Sequence, residues 1–389
     1  MERRQPLQPD PVCGVKVYNY LCLQGVTIRP DRLPEMENNY LLLVSDTYAF
    51  PILRPLQKAI REKGGTAAWF VDNPACRKFL AADELELRTV KEVKKYAPKA
   101  VFIPGNHSYH FFPGVHVQVF HGFAINKRND PDDDFRHVIR GWFDLYAVNE
   151  VIALDRFQRL SEEYGSFKAV PTGWSKLDSF NTDPRNTAIS EGRRPVILYS
   201  STFSRGITST PYLYDEIERL VQTRDWDWII TFHPLMAQET MERYKALATR
   251  YDNVTFYDGD DNVSVLEAAD VMLCDSSSII MEFQYLDKPV VTFRNTQPDD
   301  SLMDISDVDL LESSIEAALS RPADLMERIR ARMDSLHPWR DGESSVRVLE
   351  AVDAFVEGKL GPNRPKKISL VRKIKARKKL GYWGGLNRI

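Results

Sequence analysis

The sequence predicts an α/β protein of two Rossmann-like domains whose parallel sheets flank a central cleft. Three observations carry this. The chain has 389 residues, more than one compact core usually serves, so two domains of ordinary size are expected. Short apolar, β-branched runs alternate with helical stretches, the pattern of parallel β/α units. That pattern breaks once, in a stretch rich in Asn, Ser, Thr, Gly and Pro, and then restarts.

The first series of runs is "YLLLVS" (40–45), "TAAWFV" (66–71), "AVFIPG" (100–105), "VHVQVF" (115–120), "LYAVN" (145–149) and "KAVPTG" (168–173). Between the first two, "PILRPLQKAIREKGG" reads as an amphipathic helix closed by glycine. The break is "PTGWSKLDSFNTDPRNTAISEGRRP" (171–195). The second series is "VILYSS" (196–201), "DWIITFHP" (227–234), "VTFYD" (254–258), "VMLCD" (271–275) and "PVVTF" (289–293). These runs predict an N-terminal extension (1–35), a first domain (36–180), a linker (181–195), a second domain (196–358) and a tail (359–389).

Composition narrows the class of function. Hydrophobic residues make up 43% and charged residues 28%, a balance that excludes fibrous and disordered chains. A net charge of −3 gives no field that would gather nucleic acid. Cys13, Cys22, Cys76 and Cys274 have neither zinc-site nor disulfide-framework spacing, and read as reduced thiols. The N-terminus lacks the apolar core of a signal peptide, and no window approaches the ~18 apolar residues of a membrane span. A cytoplasmic protein is expected.

In open α/β sheets ligands bind beyond the carboxyl ends of the strands, so the last residues of each run are the candidates. In "VMLCDSSSIIMEF", Asp275 ends a strand and Ser276, Ser277 and Ser278 open a helix. Free N–H groups and hydroxyls there suit a phosphate, although Asp and Ser are also ordinary helix caps. "WIITFHP" puts His233 at a strand end, where it reads equally as a phosphate contact or a structural histidine. "LYSSTFSRG" offers Ser200, Thr202 and Arg205, and "WRDGESSVRV" offers Asp341, Ser344 and Ser345 at another helix start. Four anion-suited elements in one domain point to a phosphorylated ligand. With no GxGxxG fingerprint after the first strand and no GxxxxGK[ST], neither an NAD-type nor a P-loop site is expected.

The first domain concentrates His107, His110, His116 and His121 in "HSYHFFPGVHVQVFH". Their spacing matches no metal motif, and His116 and His121, five apart, fall on opposite faces of a regular strand. The acidic loop "NDPDDDF" (129–135) reads as a solvated turn, so Mg²⁺ is not indicated and no cofactor is expected. His121, followed by Gly122, reads alone as a core residue, a ligand or a base. Asn106, Gly122 and Lys127 are the accompanying acceptor-side candidates.

A family resemblance orders these pieces. "VQVFHGFAINK", "ILYSSTFSRG", "TFHP", "LEAADVMLCDSSSIIMEFQYLDKPVV" and "RDGESSVRVLEAV" resemble, in the same order, motifs of the CDP-glycerol glycerophosphotransferases. The likeness runs over roughly residues 40–356. It implies a GT-B architecture and transfer of glycerol phosphate from CDP-glycerol to a hydroxyl, with release of CMP. His121 then matches the proposed base, His233 the diphosphate-contacting histidine, and Asp275, Ser277 and Ser278 lie at the donor phosphates. Phe120 stands where the family usually has Trp, and Ser276 where it usually has Tyr. A nucleotide-sugar glycosyltransferase, or an enzyme like the UDP-N-acetylglucosamine 2-epimerases, is the alternative on the same architecture. The acceptor is left open among a lipid-linked primer, a growing polymer and a capsular sugar.

The tail "RPKKISLVRKIKARKKLGYWGGL" has no acidic residue. As a helix it gathers Leu370, Val371 and Ile374 on one stripe among cations, with Tyr382 and Trp383 beyond for a lipid interface, which suits the inner face of the cell membrane.

Overall fold

The computed structural model describes residues 38–123, 137–180, 192–233, 235–259 and 261–384. Residues 38–389 form one compact unit. It contains two sheets. The first joins β1 (Asn39–Val44), β2 (Thr66–Val71), β3 (Leu85–Glu86), β4 (Ala100–Ile103), β5 (Val115–Gln118), β6 (Leu145–Val148) and β7 (Lys168–Pro171) in the order β3-β2-β1-β4-β5-β6-β7. The second joins β8 (Val196–Ser201), β9 (Asp227–Phe232), β10 (Val254–Phe256), β11 (Val271–Cys274), β12 (Val290–Phe293) and β13 (Met303–Ile305) in the order β10-β9-β8-β11-β12-β13.

Every pairing is parallel, from Asn39 opposite Thr66 to Phe293 opposite Ile305. Helices cover both faces, so the central strands are continuously apolar rather than alternating, as "YLLLV" and "VMLC" show. The two Rossmann-like sheets of the sequence reading are therefore present. It missed β3 and β13, edge strands of two and three residues with sequences "LE" and "MDI". They have too few apolar residues to register as runs. Each sheet reverses its strand order once, between β1 and β4 in the first and between β8 and β11 in the second.

The helix Ala49–Glu62 ends as its glycines predict, with Gly64 at φ +73°. A single apolar cluster reaches from Leu42 and Trp69 of the first sheet through Trp174 and Leu177 to Met272, Phe283 and Val348. Leu177 of the 3₁₀ turn Ser175–Ser179 belongs to it. Ser175 Oγ donates to the Ile52 carbonyl, and the buried Lys176 ammonium donates to Glu282 and to Asn262 at 2.5 and 2.7 Å. Of the predicted linker (181–195), residues 181–191 lie outside the described residues, as do the N-terminal extension and the acidic loop (129–135).

The C-terminal part returns to the first sheet. The helix Ser344–Val356 pairs its Asp353 with Lys99 at 2.6 Å. Lys366 meets Asp144 at 2.7 Å. The tail helix Leu370–Leu380 buries Ala376 and packs Leu380 among first-sheet side chains, and the Tyr382 ring lies 4.9 Å from Phe111.

Lys176 and Glu282 are a buried pair whose separation leaves one charge stranded. Lys176→Met is expected to cost about 3 kcal/mol of unfolding free energy in urea, and adding Glu282→Leu is expected to recover most of it.

Candidate functional site

At the carboxyl edge of the second sheet, β8 runs into Ser200, Ser201 and Thr202, and β11 into Asp275. Asp275 is completely buried. Its carboxylate accepts from Ser201 Oγ, Thr202 N, Ser209 N and Ser209 Oγ at 2.5 to 3.1 Å. Burial raises its pKa, while these hydrogen bonds act the other way. The side chain is closed off from a ligand, and it pins the loop from Thr202 to Ser209 instead. That loop carries Phe203 and Arg205 into solvent. Ser200 and Thr202 are buried beneath it, and Ser276 Oγ, also buried, accepts from Thr296 N and Thr296 Oγ1.

Ser277 and Ser278 are partly exposed at the start of the helix Ile279–Tyr285. His233, exposed at the end of β9, accepts at Nδ1 from Leu235 N at 3.1 Å and stacks 4.5 Å from Phe203. Accepting at Nδ1 puts the proton of the neutral ring on Nε2, so the ring can donate. β9 lies two strands from β11, roughly 10 Å sideways at the usual strand spacing. Of the second sheet's sequence candidates, Arg205, His233, Ser277 and Ser278 are thus the ones open to solvent.

On the first sheet, β5 ends at Gln118 and Phe120 takes a left-handed φ of 55°. For a non-glycine residue this is strained backbone, tolerated because Phe120 is buried against Tyr146 and Phe157. The turn separates His121 from the strand's alternation. His121 Nδ1 donates to the Pro104 carbonyl at 3.1 Å in the tautomer that leaves the lone pair on Nε2, and Tyr48 stacks at 5.1 Å. The buried Asn149, at the end of β6, donates to the Gly122 carbonyl at 3.0 Å. Gln118 donates to Asn106 Oδ1 at 2.9 Å, fixing that candidate beside the same edge. Gly122 approaches the second sheet so closely that a Cβ there would lie 3.7 Å from Ser278 Oγ. The residue after His121 therefore adjoins Ser278 at the start of the helix Ile279–Tyr285. Lys127 lies outside the described residues.

The other histidines separate. His116 is a core residue between Ser108 Oγ and the Phe112 carbonyl, and burial lowers its pKa to about 4. His107 pairs with Asp72 at 3.3 Å. Among the described residues no group of three or more His, Cys, Asp or Glu is arranged to hold a metal ion.

One group of sequence candidates is placed elsewhere. The N–H groups of Ser344 and Ser345 donate to the two carboxylate oxygens of Asp178, at 2.9 and 2.6 Å. Asp341 is held by Arg347 at 2.8 Å. This helix start does capture an anion, as its sequence suggests, but the anion is a side chain of the Ser175–Ser179 turn. Gly173, at φ +75°, lets the turn pass, since a Cβ there would sit 2.6 Å from Ser344 Oγ. Sequence reasoning missed Lys176, Asp178 and Tyr48, whose partners are remote in the chain. Asn149 was visible as the last residue of an apolar run.

Comparison with known proteins agrees with this arrangement. Residues 163–299 match the family model described as CDP-Glycerol:Poly(glycerophosphate) glycerophosphotransferase. The match bears out the resemblance read from the sequence, and with it the class of enzyme. It contains Arg205, His233 and the serines 276–278, whereas His121 lies upstream of it. No curated protein matches the chain significantly. Among solved structures, the wall teichoic acid polymerase TagF aligns with a TM-score of 0.59 at 12% identity, over 90% of this chain and 98% of that one. MnaA of S. aureus, solved with UDP, aligns at 0.54 and 17%, over 85% and 100%. A UDP-N-acetylglucosamine 2-epimerase aligns at 0.53 and 15%, over 85% and 99%. At these identities the likeness shows the GT-B-type architecture alone.

The geometry separates the two serine-bearing helix starts. Ser345→Ala is expected to leave CMP affinity unchanged by calorimetry, and Arg205→Met to weaken it about tenfold, the loss of one charge-assisted contact.

Proposed function

We propose that the protein transfers glycerol phosphate from CDP-glycerol to a hydroxyl of a glycan, polymer or lipid-linked acceptor, with His121 as general base. The observation that carries this is His121 itself. Its tautomer is fixed by the Pro104 carbonyl, and it adjoins Gly122, which touches the serine-capped helix of the opposite sheet.

In the step, the acceptor oxygen attacks the phosphorus bearing the glycerol, His121 Nε2 takes the hydroxyl proton, and the bond to the CMP phosphate oxygen breaks. CMP leaves as the phosphate monoester. Arg205, His233, Ser277 and Ser278 supply donors to the diphosphate, where charge accumulates on the leaving group. Positioning of the two reactants by opposite walls of one cleft supplies the remaining advantage.

His121→Ala is expected to lower CMP release by ~10²- to 10⁴-fold while the Kd for CDP-glycerol stays within twofold. Loss of donor binding along with turnover would remove His121 from this role. Running the wild type against UDP-sugars alongside CDP-alcohols distinguishes glycosyl transfer.

The tail helix supports a membrane-surface location. No helix among the described residues is long and apolar enough to cross a membrane. Yet with Ala376 and Leu380 facing the first sheet, the opposite side presents Leu370, Val371 and Ile374 at 68%, 62% and 45% exposure. Lys375 and Lys378 share that side, and Trp383 is half exposed just beyond. Apolar side chains ringed by cations suit an anionic bilayer, at about 1 kcal/mol per cation. Replacing both Leu370 and Ile374 by Glu is expected to release the protein from phosphatidylglycerol vesicles in a flotation assay without altering its melting temperature; unchanged flotation would count against the tail as the contact.

A further inference from the structure

Tyr48 stands where a helix start seldom places a tyrosine. It directly precedes the helix Ala49–Glu62, a position at which Ser, Thr, Asp or Asn would satisfy the first N–H groups with a side-chain oxygen, yet the Tyr48 side chain makes no capping bond. Backbone bonds form that turn instead, with Ala49 N donating to the Asp46 carbonyl at 3.1 Å and Phe50 N to the Thr47 carbonyl at 3.2 Å. The phenol ring has no part in starting its own helix.

The ring reaches sideways along the sheet edge. It follows β1, whose neighbour is β4, and β4 in turn neighbours β5, the strand that leads to His121. Contact with His121 therefore crosses the end of β4, and just beyond that strand stands Gly105. A Cβ at Gly105 would already lie 3.5 Å from Tyr48 Oη, so a larger side chain there would compete for the path. The phenol ring meets the His121 ring at 5.1 Å between centroids, with the planes inclined by 34°. Tyr48 and Gly105 flank the point where the first sheet reverses its strand order, between β1 and β4, which is where open α/β sheets bind ligands.

The contact supplies what the hydrogen bond to Pro104 does not. That bond, at 3.1 Å from His121 Nδ1, holds one atom of the imidazole and selects the tautomer, but a single bond leaves the ring able to swing about that atom. A flat neighbour removes the swing, because it would drive the imidazole into the phenol face. The direction of Nε2 is then fixed along with its lone pair. The brace is itself held, since Tyr48 packs on the apolar cluster that contains Phe50 and Cys76. Burial, with the Asp46 and Asp72 carboxylates nearby, pushes the Tyr48 pKa up to about 12. The phenol thus stays neutral wherever an imidazole titrates, and it brings no charge to the base.

We propose that Tyr48 is the positioning residue of His121, its ring holding the imidazole plane so that Nε2 points at the acceptor hydroxyl. This rests on the reading of His121 as the base. A base that swings out of line costs rate rather than donor affinity, because the reacting geometry is lost while the groups on the second sheet are untouched. Tyr48 acts through His121 by its ring, and its hydroxyl takes no part in the transfer.

The test uses the full-length protein and the variants Tyr48→Leu, Tyr48→Phe and His121→Ala. Tyr48→Leu keeps the apolar bulk and loses the flat ring, and it is expected to lower kcat for CMP release about tenfold or more. Its calorimetric Kd for CDP-glycerol and its melting temperature are expected to stay unchanged, and Tyr48→Phe is expected to match the wild type throughout. A second readout needs no turnover. Long-range proton–nitrogen NMR spectra of histidine-labelled protein, recorded with the imidazoles neutral, distinguish the two tautomers. With the His121 signals assigned by their loss in His121→Ala, the wild type is expected to carry its proton on Nδ1, and Tyr48→Leu to show signals averaged between the tautomers. Wild-type kcat in Tyr48→Leu would overturn the proposal, as would an equal loss in Tyr48→Phe, an unchanged His121 spectrum in Tyr48→Leu, or a slowing that comes only with a lowered melting temperature. A wild type that releases no CMP from CDP-glycerol would sink the transfer reading, and the spectra would then decide by themselves whether Tyr48 holds the ring.

Discussion

A five-residue turn, Ser175–Ser179, holds the two sheets in register with each other. Ser175 bonds to the helix that follows β1, Lys176 to Glu282 and Asn262 of the second half, and Asp178 to the N–H groups that open the helix Ser344–Val356. Lys176 and Glu282 are both almost fully buried, so each is costly without the other. The turn cannot shift without stranding a charge, and the distance across the cleft depends on it. The proposed transfer, with His121 on one wall and Arg205, His233, Ser277 and Ser278 on the other, needs that distance held.

The second constraint is the return of the chain. Lys99 with Asp353, Lys366 with Asp144 and Lys379 with Asp72 join the last third of the sequence to the first sheet. Partly exposed ion pairs are individually weak. They act here with the packing of Ala376, Leu380 and Tyr382 against first-sheet side chains. The tail is consequently part of the first sheet's surface, and one face of its helix is fixed inward while the apolar stripe is fixed outward.

Within the site, backbone partners set the two histidine tautomers in opposite senses. The Pro104 carbonyl takes the Nδ1 proton of His121, and the Leu235 N–H fills the Nδ1 lone pair of His233. In the neutral rings Nε2 is an acceptor in His121 and a donor in His233, the division that the proposed proton transfer and leaving-group stabilisation require. The strained φ of Phe120 is part of the same arrangement, because a regular strand would have kept His121 in alternation with His116.

The sequence by itself determined the two parallel sheets, nearly every strand, and the strand-end positions of His121, His233 and the serine-capped helix. Buried parallel strands are continuous apolar runs, and ligands gather where those runs stop, so both signals are local. It also located Ser344 and Ser345 at a helix start suited to an anion. Only the tertiary structure decided that this anion is Asp178, that Asp275 is sealed beneath the loop it pins, and that Lys379 reaches Asp72. A charge or a free N–H group shows in the sequence, whereas its partner is chosen by the packing that brings distant segments together.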